Sequence, residues 1–156
     1  MSRILVVTGT DTGVGKTHMS CGLARLARKQ WPGALALKPI ESGAPGAVPG
    51  PTEDGVQLAE ATGQAKPRAA LIRLSAPIAP PDAADREGVS LDFDGLCDRV
   101  AALASDADWT LVEGAGGLLS PLTWHHSTLD LALRLKADVV VVAADVLGTQ
   151  NHVLLT

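Results

Sequence analysis

The sequence predicts one α/β domain with a mainly parallel sheet, and three observations carry that reading. Four short apolar runs rich in Val, Leu and Ile recur along the chain. Helical patterns lie between them, which is the order of a parallel sheet with crossover helices. The first run leads directly into a dense glycine stretch, "GTDTGVGKT", and then into a helical pattern. The chain has 156 residues, 46% of them hydrophobic, so one domain over residues 1–156 with a real core is expected.

The four runs are "RILVVT", "ALALKPI", "DWTLVEG" and "ADVVVVAAD". They mostly do not alternate, which fits strands covered on both faces. After the glycine stretch, Met19, Leu23 and Leu26 recur at helical spacing, with Arg25, Arg28 and Lys29 towards the C-terminal end. Ser90 is placed to cap a helix with the stripe Leu96, Val100 and Leu103, and Asp92 and Asp94 in its first turn. In "STLDLALRL" the leucines alternate like a strand. Its position before an all-valine run favours a crossover helix. "GAPGAVPGPTED" and "SAPIAPPDAADREG" read as loop connections, and "GTQNHVLLT" as a loop entering a helix.

A net charge of −4 argues against general nucleic-acid or membrane-surface binding. Cys21 and Cys97 lie far apart, so neither a disulfide framework nor a zinc spacing is indicated. No apolar run approaches the ~20 residues of a membrane span, and a signal-peptide pattern is lacking. These features predict a soluble protein of a reducing compartment, the cytoplasm.

A strand, a glycine-rich turn and a helix together form the context of a phosphate loop. Backbone N–H groups turn inward, the helix N-terminus adds its positive pole, and Lys16 reaches the outer phosphates. Thr17 would put its hydroxyl on Mg2+. The fit is imperfect: five residues separate Gly9 from Gly15, where the strict pattern has four. A Mg2+–triphosphate site also wants carboxylates at the C-terminal edge of the sheet. Glu113 ends the "TLVEGAGG" run and precedes Gly114, Gly116 and Gly117, small residues that leave room for a metal. Asp54 is a second carboxylate, with Glu53 as its direct competitor. Lys38 ends "LALKP" at the same edge, and Ser42 and Gly43 follow; alone, Lys38 reads as a surface lysine.

Taken together, "VTGTDTGVGKT", "KPIESG", "EGAGG" and "LGTQNH", in that order, resemble the dethiobiotin synthetase family. Members share the five-residue interval, so the misfit supports the match. The resemblance implies a P-loop NTPase-like fold and an ATP-dependent ligase. The substrate, 7,8-diaminononanoate, takes up CO2 as a carbamate, ATP phosphorylates it, and the second amine closes a cyclic urea. It implies Thr17, Asp54 and Glu113 as metal ligands. Lys16, Lys38 and Thr12 become the catalytic contacts, and Asp11, Thr12, Gly13, Val14, Gly15, Lys16, Thr17, Glu113, Gly114, Ala115 and Gly116 the nucleotide site. Thr12, Lys38 and Ser42 would meet the diamine or carbamate. Gly148, Thr149, Gln150 and Asn151 would meet the carboxylate tail of substrate held by a partner subunit, which implies a homodimer.

The pattern departs from the family at Gly13, where some members have an acid, and at Pro81, where members often show histidine. Family chains also continue past Thr156 through further strands and the segment that reads adenine. The resemblance therefore implies a chain truncated at its C-terminal side. Such a chain is expected to hold triphosphate, to discriminate poorly between ATP and GTP, and to be a weak enzyme. Cobyrinic acid diamide synthases are a rival, but they carry a glutaminase domain for which there is no room. A switch ATPase of the partition kind is a second rival, disfavoured by Asp11 where that family has lysine. An inactive nucleotide-binding remnant is the third.

Overall fold

In the computed structural model, which describes residues 3–156, the apolar runs form a four-stranded parallel sheet. Its strands are β1 (Arg3–Gly9), β2 (Leu35–Leu37), β5 (Trp109–Glu113) and β6 (Asp138–Val142), in the order β2-β5-β1-β6. A separate two-stranded parallel sheet joins β3 (Ile40–Ser42) to β4 (Ile72–Leu74). The helices are α1 (Lys16–Gln30), α2 (Asp54–Thr62), α3 (Pro80–Glu87), α4 (Phe93–Ser105), α5 (Thr128–Leu135) and α6 (Thr149–Leu155). The expected α/β class is what the chain adopts. Among the described residues no helix is long and apolar enough to cross a membrane.

Successive side chains of a strand point to opposite faces, and for β1, β2 and β5 both faces are covered. Val6 and Val112 pack with Leu37, Phe93, Val100 and Leu131 on one face. Val7 and Leu111 pack with Ala24, Leu58 and Trp109 on the other. This is why the runs carry no polar alternation. The helix over "STLDLALRL" also forms: Ser127 caps it in a reciprocal capping box with Asp130, while Leu131 and Ala132 face the core.

Four local expectations are corrected. "ALALKPI" is not one strand, because Pro39 interrupts it and sends β3 into the second sheet. The stretch "SAPIAPPDAADREG" is not all loop: Pro80 and Pro81 open α3, where a missing N–H costs nothing, and Gly88 closes it at φ 65°. Asp92, not Ser90, caps α4, accepting the Gly95 N–H. On α1 the buried face is Ser20, Cys21, Ala24 and Ala27, whereas Met19 and Leu26 are exposed. Small residues let α1 approach the sheet closely, and the large ones stay outside. As expected of a chain that lacks the strands following it in the family, β6 stands at the end of the sheet order with Val139 and Val141 exposed.

Candidate active site

Parallel strands end at a common edge, and their register gathers the site there. Leu37 pairs with Val112, and Val7 with Glu113. Lys38, one residue beyond β2, therefore lies level with Glu113, the last residue of β5. Its ammonium sits 2.7 Å from Glu113 Oε1 and 2.7 Å from Asp54 Oδ2, and donates to the Gly114 carbonyl at 3.2 Å. Lys38 is 4% exposed and Glu113 is fully buried. The surface-lysine reading of Lys38 is thereby overturned.

The phosphate loop lies beside this ion pair. Gly13 (φ 77°) and Gly15 (φ 94°) take left-handed backbone, which the turn into α1 requires. Gly15 is the N-cap of α1, no side chain caps that end, and no acidic residue occupies the first turn. The exposed N–H groups and the positive helix pole together suit an anion. Lys16 is 7% exposed and donates to the Asp11 carbonyl at 2.8 Å. The Thr17 hydroxyl lies 2.8 Å from Asp54 Oδ1 and 3.0 Å from Glu113 Oε1.

Thr17, Asp54 and Glu113 thus converge from three separate elements. Glu53 turns away: its carboxylate forms a bidentate pair with Arg73, at 2.7 Å to both Nε and Nη2. Mg2+ prefers one or two carboxylates and otherwise keeps water and phosphate oxygens. Two carboxylates and one hydroxyl match that demand. Glu113 Oε2 is buried and has no hydrogen-bond partner among the described residues, an orphaned oxygen of the kind a metal would satisfy. The residues fit the ion.

The electrostatics agree with a site built for anions. Burial lowers the Lys16 pKa, helped by neighbouring Lys38, although nearby carboxylates oppose both. Burial would lower Lys38 too, but Glu113 and Asp54 outweigh it and raise the pKa above its ordinary value. Burial pushes the Asp54 carboxyl up, and the Lys38 ammonium more than offsets it, holding Asp54 low.

Lys16, Lys38 and Asp54 line a cleft of about 670 Å³, whereas Glu113, fully buried, is not part of its lining. Thr12, Gly13, Gly15, Lys16, Thr17, Lys38, Ser42, Asp54, Ala115 and Gly116 all face it. The Ser42 hydroxyl is buried and has no partner among the described residues, which leaves it available to substrate. Asp11, Val14 and Gly114 do not line the cleft: Asp11 and Gly114 contribute backbone carbonyls to the two lysines, and Val14 packs against the core. Gly148, Thr149, Gln150 and Asn151 lie outside it, at the start of α6. The sequence reading missed Glu41, which lines the cleft and is 8% exposed. It also missed an apolar wall formed by Ile40, Ile78, Pro80 and Pro121. Glu41 stood inside "KPIESG", yet a strand-end glutamate gives no local signal of burial.

A family model described as an AAA domain matches residues 3–156. An ATP-dependent dethiobiotin synthetase of Anaeromyxobacter sp. is 46% identical over 156 residues, covering 99% of this chain and 69% of its own. The protein of that name from Caulobacter vibrioides is 39% identical over 160 residues, covering 97% and 71%. The one from Aquifex aeolicus is 37% identical over 152 residues, covering 97% and 67%. The chain is shorter than each of these relatives.

Proposed function

Because the chain belongs to the dethiobiotin synthetase family, we propose that it is an ATP-dependent ligase that closes the cyclic urea of dethiobiotin. Its substrates are 7,8-diaminononanoate, CO2 and ATP. The observation that carries the reading is the buried Lys38 ammonium beside Glu113, Asp54 and Thr17, in the same cleft as the phosphate loop.

The chemistry runs in three steps. One amine attacks CO2 and loses a proton, giving a carbamate. A carbamate oxygen attacks the γ-phosphorus of ATP and ADP leaves. The second amine attacks the carbonyl carbon and loses a proton, inorganic phosphate leaves with the C–O bond electrons, and the ring closes. Carbamate and triphosphate are both anions, so the first demand is to bring them together. Lys16 and the α1 N-terminus bind the phosphates, while Lys38 draws the carbamate to the same edge. Thr12 and Ser42 orient the diamine by hydrogen bonding. Mg2+, held by Thr17, Asp54 and Glu113, supplies charge neutralisation to the phosphoryl oxygens when bound. The rest is positioning, which dominates phosphoryl transfer.

The reading treats residues 1–156 as one α/β unit of a cytoplasmic homodimer. Residues 148–151, exposed except for half-buried Thr149 and outside their own cleft, then meet the substrate carboxylate across the dimer. One assay tests the whole: phosphate release with ATP, Mg2+ and bicarbonate, with and without the diamine. Release that depends on the diamine, with a cyclic urea found by mass spectrometry, is the expected result. Hydrolysis indifferent to the diamine selects a switch ATPase instead.

A further inference from the structure

We propose that Glu41 is a positioning residue, one that fixes Asp54 by accepting the two backbone N–H groups on either side of the Asp54 Cα. The inference deepens the proposed function and rests on Asp54 as a metal ligand. Glu41 Oε1 accepts from Asp54 N at 2.6 Å, and Oε2 accepts from Gly55 N at 3.0 Å. Those two N–H groups belong to the peptide planes that bracket residue 54. Holding both with one rigid carboxylate pins φ and ψ there. Only the side-chain torsions of Asp54 remain, and its contacts with Thr17 and Lys38 settle those.

No local group performs this task. The N-cap of α2 is Glu53, and its side chain makes no capping bond. It bonds instead to the Gly50 N–H at 2.8 Å and to Arg73. First-turn N–H groups need an acceptor from elsewhere, and Glu41 brings one from β3. The strand is itself anchored, since Glu41 pairs in register with Arg73 of β4. The start of α2 also has nowhere to move: a Cβ on Gly55 would meet the Ala69 carbonyl carbon at 2.6 Å. Glu41 is 8% exposed, and its two N–H bonds are the partners that a buried carboxylate needs.

The test is the affinity of the full chain for Mn2+ in the presence of ADP, read by electron paramagnetic resonance. Groups that orient a ligand typically change metal affinity by about 10–100-fold when removed. Glu41→Gln keeps the volume but sets an amide N–H against a backbone N–H, and should weaken Mn2+ by about tenfold. The metal concentration for half-maximal turnover should rise in step, with kcat at saturating metal and KM for the diamine little changed. Asp54→Asn is the comparison for the ligand. Val100→Ala, in α4 and away from the cleft, controls for loss of stability alone. Unchanged affinity in Glu41→Gln beside a weakened Asp54→Asn overturns the positioning role. Equal weakening in Glu41→Gln and Val100→Ala also overturns it. Unchanged affinity in Asp54→Asn overturns the ligand reading, and the positioning role with it.

Discussion

Lys38 and Glu113 meet at 2.7 Å with 4% and 0% of their side chains exposed. A buried pair of this kind is fragile to the loss of one partner, because the remaining charge stays desolvated. Lys38→Met should destabilise the fold by about 3–5 kcal/mol and abolish turnover. The double variant Lys38→Met/Glu113→Leu should regain most of that stability and stay inactive. Urea denaturation measures both. A single variant as stable as the wild type would show that this pair does not hold the fold together.

Lys16 has a different balance, since among the described residues its ammonium donates to the Asp11 carbonyl alone. Lys16→Ala should slow diamine-dependent phosphate release by ~10²–10³-fold, the scale for one electrostatic stabiliser of a transition state. Circular dichroism should be unchanged. Normal turnover in this variant would remove residues 9–17 from the nucleotide site.

Two adjacent acids are separated by their partners. Asp54 faces Thr17 and Lys38, whereas Glu53 faces Arg73. Glu53→Gln should cost about 1–3 kcal/mol of stability through its charged hydrogen bonds and keep its Mg2+ dependence. Asp54→Asn should lose about 10²-fold or more in rate at fixed metal. A Mg2+ titration of velocity for each variant decides, and the reverse pattern makes Glu53 the ligand.

The capping box of α5 predicts a pH effect. The Ser127 hydroxyl and backbone N–H bonds hold the Asp130 pKa below its model-compound value of 3.8. A depressed carboxyl contributes stability above the unfolded value and loses it as pH falls through the folded one. Asp130→Asn should therefore flatten the acid limb of Tm between about pH 5 and about pH 2. Ser127→Ala should cost about 1 kcal/mol at neutral pH. Parallel acid limbs in wild type and Asp130→Asn would place the acid sensitivity elsewhere.

Local chemistry made much of the protein legible in advance. The phosphate loop is a contiguous stretch whose glycines and lysine act within one turn, so "GTDTGVGKT" needed no distant partner to be read. The Ser127 cap and the crossover helix after it are local in the same sense. Valine-rich runs declare strands because β-branched side chains suit a pleated sheet. What they do not declare is which strands they will pair with. β4 is three residues long, too short for any period to show, and exists through its pairing with β3. The choice between Asp54 and Glu53 was likewise invisible, since both precede a helix and both are acids. Arg73 and Lys38, about twenty residues away on either side, made that choice by where the sheets put their charges. Glu41 became a helix cap for α2 only because β3 runs past that helix start. Charge and hydrogen-bond partners are properties of neighbours in space, and the sheet register alone decides which neighbours those are.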